Sequence, residues 1–198
     1  MERSSMKIAA IAFIWLILAL IAGASGNLTS LNPPLPQIIL FGLVIIMLLG
    51  FWISPKFRGW CLHVDIKVFL LFNLVRFVGA YFLILYAQGR LPYDFAVLGG
   101  WGDIVIAALA VVLILFIPAR GKAGWFLYFL WNLLGLLDIL FVVATAGRLA
   151  MADPSSMSEL LNLPLSLLPT FIVPIIIYLH IILFVRLHKS MKMGYSVI

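Results

Sequence analysis

The chain has 198 residues, of which 65% are hydrophobic and only 10% carry a charge, far from the roughly 25% charged residues of an ordinary soluble domain. No water-soluble fold hides that much apolar surface, so the composition excludes a soluble protein and makes the lipid bilayer the expected partner. The net charge of +6 does not imply nucleic acid, because the basic residues sit in short clusters between apolar segments and form no single polar face.

Apolar runs long enough to cross about 30 Å of hydrocarbon fall at 8–26, 36–53, 68–88, 96–117, 125–147 and 166–186. They are continuous rather than alternating, which predicts helices and not an outer-membrane barrel. The expected fold is all-α: a polytopic transmembrane helical bundle of six spans, one domain over 1–198. Breaker-rich connections separate the spans at Asn32-Pro33-Pro34, Ser54-Pro55, Gly89-Arg90-Leu91-Pro92, Pro118 to Gly124 and Asp153-Pro154.

The first run follows Arg3 and Lys7, and Ala22-Gly23-Ala24 resembles a cleavage site. Its apolar stretch of roughly 17 residues is long for a secretory signal, so it reads as a retained anchor. Asn27-Leu28-Thr29 has the form of a glycosylation triplet and is assigned no role. Asp153-Pro154-Ser155-Ser156 with Glu159 predicts a helix start, Pro standing in the first turn and Ser156 three residues before an acid. A short interfacial helix should follow.

With the N-terminus in the cytoplasm, Arg3, Lys7, Lys56, Arg58, Lys67, Arg120, Lys122, Arg186, Lys189 and Lys192 fall on the inner side, and only Arg90 and Arg148 fall opposite. The positive-inside rule therefore predicts six spans with both termini cytoplasmic, in the cell's inner (plasma) membrane. Arg186, Lys189 and Lys192 beside Met191, Met193 and Tyr195 read as a topological anchor able to lie on anionic headgroups. Trp52, Trp60, Tyr93, Trp101 and Trp125 stand near span boundaries, where amphipathic rings settle.

A lone cysteine, Cys61, excludes an internal disulfide, and histidines at 63, 180 and 188 form no ligand motif. Cys61, His63 and Asp65 alternate in one connection and give a slight hint of a metal; no metal site is assigned.

Charge inside hydrocarbon costs roughly 2.5–3.5 kcal/mol per residue, so ionisable residues there need partners or water. The spans contain Arg76, Asp103, Asp138 and His180, accompanied by Asn73 and Asn132. Counting about 1.5 Å per residue from the outer end of each span places Asp103 at about 10 Å, Asp138 at about 13 Å and Arg76 at about 18 Å. His180, Asn73 and Asn132 come out deeper, at about 21–23 Å, as a second layer. Asn73 and Arg76 share a helix face. Trp131, Leu134, Gly135 and Asp138 form one stripe, with Asn132 turned about 120° from Asp138.

One guanidinium between two carboxylates either clamps three helices together or, carrying an excess charge of −1, holds a proton or cation. His180 is read as a packing residue, with proton relay and axial haem ligation as alternatives. No lysine lies well inside a span, which excludes a retinal Schiff base. The glycines of Gly99-Gly100-Trp101-Gly102-Asp103 predict close helix packing above a buried acid. Pro169 reads as a first-turn residue, whereas Pro174 should kink its helix and free a carbonyl that must find another donor.

The stretch RFVGAYFLILYAQGRLPYDFAVLGGWGD (76–103), with WNLLGLLD (131–138) and LPTFIVPIIIYLH (168–180), resembles a group of small multi-pass bacterial membrane proteins that have no established activity. The resemblance implies the same six-helix organisation and makes the Arg, Asp, Asn and His positions a shared theme. The leading functional expectation is a small transporter or channel-like protein that handles a proton, cation or small polar solute through Arg76, Asp103 and Asp138. The alternatives are a lipid- or quinone-binding protein or membrane enzyme, for which no nucleophile-and-base motif is visible, and a non-catalytic subunit of a membrane complex. The sequence specifies no cofactor and leaves the oligomeric state open.

Overall fold

The computed structural model describes residues 2–195, with side chains from Ser5 onward. Arg3, one of the expected inner-side charges, lies on a helix, but its side chain falls outside the described residues. The helices are α1 (Glu2–Ala24), α2 (Leu35–Ile53), α3 (Pro55–His63), α4 (Ile66–Phe72), α5 (Gly79–Ala87), α6 (Gly100–Phe116), α7 (Gly121–Ala152) and α8 (Val173–Lys192). Among the described residues, six continuous helical stretches are long and apolar enough to cross a membrane: Ser5–Ala24, Leu35–Ile53, Ile66–Ala87, Asp94–Phe116, Gly121–Ala152 and Leu168–Lys192. Each expected apolar run has its helix.

Helix α7 overruns its expected 125–147 at both ends and takes in Arg148, a residue expected in a connection. No proline interrupts the chain between Gly121 and Asp153, so the helix continues until Asp153-Pro154 disfavours helical backbone. Three stretches depart from α geometry. Asn73–Val78, joining α4 to α5, is a 3-10 helix, and π turns at Asp94–Gly99 and Leu168–Ile172 lead into α6 and α8. In a 3-10 helix residues i and i+3 eclipse, so Asn73 and Arg76 leave the backbone on one side.

The chain divides into two compact units, residues 2–63 with 143–178, and residues 64–142 with 179–195. In the first unit, α3 starts at Pro55 after Ser54, whose Oγ accepts from the Phe57 amide at 3.3 Å. Phe57 stacks on Trp60 and on Tyr178, with centroids 6.3 and 6.0 Å apart. Pro174 has no N–H to offer the carbonyl of Thr170, four residues back. That carbonyl accepts instead from Trp15 Nε1 of α1 at 2.9 Å, the replacement donor that the proline requires.

The short helix expected after Asp153 is a 3-10 helix, Pro154–Leu161. Its cap is Asp153, with Pro154 in the first turn: the Asp153 carboxylate accepts from the Ser155 amide at 3.0 Å and from its hydroxyl at 2.7 Å. Ser156 Oγ donates back to the Asp153 carbonyl at 2.7 Å.

Cys61, His63 and Asp65 each have a separate structural task. Cys61 is buried, with Sγ 3.1 Å from the Tyr178 hydroxyl, and His63 Nδ1 lies 2.7 Å from the Gly59 carbonyl on its own helix. Asp65 caps α4 by accepting from the Lys67 amide at 2.9 Å. Among the described residues, no three His, Cys, Asp or Glu side chains group as a metal site.

In the second unit, Trp125 Nε1 donates to the Leu187 carbonyl at 2.8 Å, tying α7 to α8. Arg186, read as a topological anchor able to lie on headgroups, turns inward instead. It is buried, donates to the Val64 carbonyl at 2.6 Å and covers the Phe69 ring at 5.4 Å. Lys189 and Lys192 remain exposed.

Candidate functional site

Every polar residue singled out in the spans falls in the second unit. Arg76 projects from the 3-10 stretch between α4 and α5 and is one of the largest fully buried side chains. Its Nε donates to Asp103 Oδ1 at 2.7 Å, its NH2 nitrogen to Asp138 Oδ2, and its NH1 nitrogen to the Gly135 carbonyl at 3.0 Å. The guanidinium therefore joins the third, fourth and fifth apolar helices through charge-assisted bonds, the strong kind in a low-dielectric setting.

Small residues make this approach possible. A Cβ at Gly79 would run into the Gly100 carbonyl and stand 3.1 Å from Asp103 Cβ, and one at Gly100 would stand 2.9 Å from the Gly79 carbonyl oxygen. The two helices touch backbone to backbone, which carries Asp103 to Arg76. At Gly102 a Cβ would stand 2.9 Å from Asp138 Cγ, so the bare backbone of α6 forms the seat of that carboxylate.

The cluster is asymmetric in exposure. The side chains of Arg76 and Asp103 are 1% and 4% exposed, whereas that of Asp138 is 17% exposed. Two carboxylates against one guanidinium leave a formal charge of −1, and Asp138 is where the cluster meets its surroundings. The chemistry available is the binding of one further proton or small monovalent cation.

The expected deeper layer forms in part. Asn132 Nδ2 donates to the His180 carbonyl at 3.0 Å, and Asn132 Oδ1 lies 2.7 Å from His180 Nδ1. Asn73 donates to the carbonyl of Phe69 on its own helix at 2.9 Å, and the structure pairs it with neither of the other two. The layers adjoin at Gly135, whose carbonyl receives Arg76 while its Cα faces the His180 ring. Sequence reasoning missed this junction as well as Gly79, while the close packing it expected of Gly100 and Gly102 is present; the available signal was a small residue one helical turn from a buried charge.

Fold and site together define an all-α protein with, among the described residues, six membrane-capable helices and a buried Arg–Asp–Asp cluster. Residues 33–188 match the family model described as Domain of unknown function (DUF8737), and the chain belongs to that family. The matched stretch contains the whole cluster and the Asn132–His180 pair, in keeping with the resemblance to proteins without an established activity. No curated protein and no solved structure matches the chain.

Proposed function

We propose that the protein is a multi-pass membrane protein with both termini cytoplasmic in the plasma membrane, and that the Arg76–Asp103–Asp138 cluster binds and releases a proton or small cation in a transporter or channel-like activity. One observation carries this reading: a second carboxylate sits on a single buried guanidinium, and only that carboxylate, Asp138, is partly exposed. An unbalanced charge in hydrocarbon costs roughly 2.5–3.5 kcal/mol even on the lenient insertion scale, which favours uptake of a counter-charge. Asp103, locked between Gly79 and Arg76, is the fixed partner; Asp138 is the exchanging one.

The test is proton flux in proteoliposomes carrying a pH-sensitive dye. Wild-type protein should dissipate an imposed gradient, and Asp138→Asn should not. Wild-type flux no greater than that of empty liposomes, or unchanged flux in Asp138→Asn, would refute the reading. For orientation, cysteines at Gln88 and Lys189 in a Cys61→Ala background should label from the outside and the inside, respectively.

A second reading has its own support. Arg76 uses three nitrogens on three partners from two other helices, which suits a clamp in a non-catalytic membrane subunit. Under that reading Asp138→Asn lowers thermal stability and wild-type protein carries no flux.

A further inference from the structure

Asn132 determines which nitrogen of the His180 ring holds the hydrogen. Its Nδ2 donates to the His180 carbonyl, and a carbonyl can only accept, so the amide oxygen of Asn132 is the atom that faces the ring. That oxygen also only accepts; the hydrogen therefore sits on Nδ1, and in the neutral imidazole Nε2 is a bare lone pair. Nε2 is buried and has no hydrogen-bond partner. A Cβ on Gly135 would stand 2.6 Å from the ring's Cε1 and 3.0 Å from Nε2, so this edge of the imidazole packs on the bare Cα of the glycine whose carbonyl holds Arg76. The Trp131 ring, fixed by Nε1 donating to the Ile106 carbonyl at 3.0 Å, lies 5.4 Å from the imidazole, centroid to centroid.

Arg76, which donates to the carbonyl of the glycine that faces the ring, is the charged group set beside His180 from the neighbouring helices, and it holds Asp103 and Asp138 in turn; on the histidine's own helix the flanking ionisable residues are Tyr178 and Arg186. One proton can neutralise Arg76, Asp103, Asp138 and His180 in two ways. With the proton on Asp138, Arg76 balances Asp103 and the imidazole is neutral. With the proton on His180, Arg76 and the imidazolium balance two carboxylates. Both arrangements sum to zero, so transfer between them leaves no net charge in the apolar interior.

We propose that His180 Nε2 is a second proton-binding station that takes the proton released by the Asp138 carboxyl, with Asn132 as its positioning residue. The inference rests on the proton reading of the cluster. In the transfer the Asp138 O–H bond breaks, leaving a carboxylate on Arg76. An N–H bond forms at Nε2, and Nδ1 keeps its hydrogen on Asn132. Return of the proton restores both groups, and the Asn132 bond persists throughout.

The test combines two measurements on the full chain in liposomes. Nitrogen NMR of histidine-labelled protein should place His180 Nε2 between the bare and protonated positions in wild type and at the bare position in Asp138→Asn, where Arg76 and Asp103 alone already balance. Identical His180 spectra in the two proteins overturn the inference. Proton flux in His180→Gln should fall roughly tenfold or more; flux equal to wild type also overturns the inference while leaving the role of Asp138 intact. If wild type carries no flux yet the spectra differ, transport fails and proton sharing stands.

Discussion

Gly102 and Asp138 face each other so closely that only a hydrogen on Cα fits between them: a Cβ at 102 would stand 2.9 Å from the Asp138 Cγ. Because Asp138 is held by Arg76 on its other side, the carboxylate cannot retreat without losing an ion pair. Gly102→Ala should destabilise the protein by about 1–3 kcal/mol, the usual cost of overpacking. Gly42→Ala, where nothing lies within 4 Å, should be neutral or stabilising by about 0.5–1 kcal/mol in its helix. Thermal unfolding of both variants in one detergent checks the contrast, and equal effects would remove Gly102 from the site.

Arg76→Leu should be more damaging, because it strands two carboxylates instead of crowding one. Removing one side of a buried ion pair costs about 3–5 kcal/mol. Adding Asp103→Asn and Asp138→Asn should recover most of that loss, since neutral amides need no counter-charge. Arg76→Lys should recover little: one ammonium cannot reproduce a fork with three donor nitrogens on separate partners. Detergent unfolding midpoints of the four proteins give the ranking, and a lysine variant as stable as wild type would contradict the geometric argument.

The long apolar helices were legible because their composition admits no other fold, and counting residues inward brought Arg76, Asp103 and Asp138 within reach of one another. The estimated depths differed by several ångströms; the long arginine side chain makes up such a difference. What stayed hidden depends on contacts that local sequence does not encode. The Gly135 carbonyl is a backbone acceptor with no sequence signature, and the 3-10 turn at Asn73–Val78 occupies residues whose pattern reads as ordinary helix. Asn73 was grouped with His180 and Asn132 by depth alone, and its amide turned back to Phe69. Arg186 read as a boundary charge because the apolar run ends there; only the fold brings the Val64 carbonyl to it.

Arg186 therefore offers a test separating buried from peripheral basic residues on one helix. Arg186→Gln removes the donor to Val64 and the cation above Phe69, leaving a buried acceptor less well satisfied, and should cost about 1–3 kcal/mol. Lys189→Gln and Lys192→Gln, both exposed, should stay within about 0.5 kcal/mol of wild type. Unfolding in mixed micelles with and without anionic lipid checks both parts: the lysine variants lose only lipid dependence, whereas the arginine variant is weaker in either mixture.

Trp15, Thr170 and Pro174 form a chain of cause that a double-mutant cycle can test. The proline withholds an N–H from the Thr170 carbonyl, and Trp15 Nε1 supplies one at 2.9 Å. Trp15→Phe deletes that donor but keeps an aromatic ring against Phe171, whose centroid lies 5.0 Å from that of Trp15. In the wild-type background the change should cost about 0.6 kcal/mol, the average for hydrogen bonds between membrane helices, and no more than about 1.7 kcal/mol. With Pro174→Ala the helix regains its own donor for Thr170, and the same tryptophan change should cost clearly less. The difference between the two costs is the coupling energy between proline and tryptophan. An equal cost in both backgrounds would mean that Trp15 serves Thr170 independently of Pro174 and that the proline's orphaned carbonyl is satisfied elsewhere.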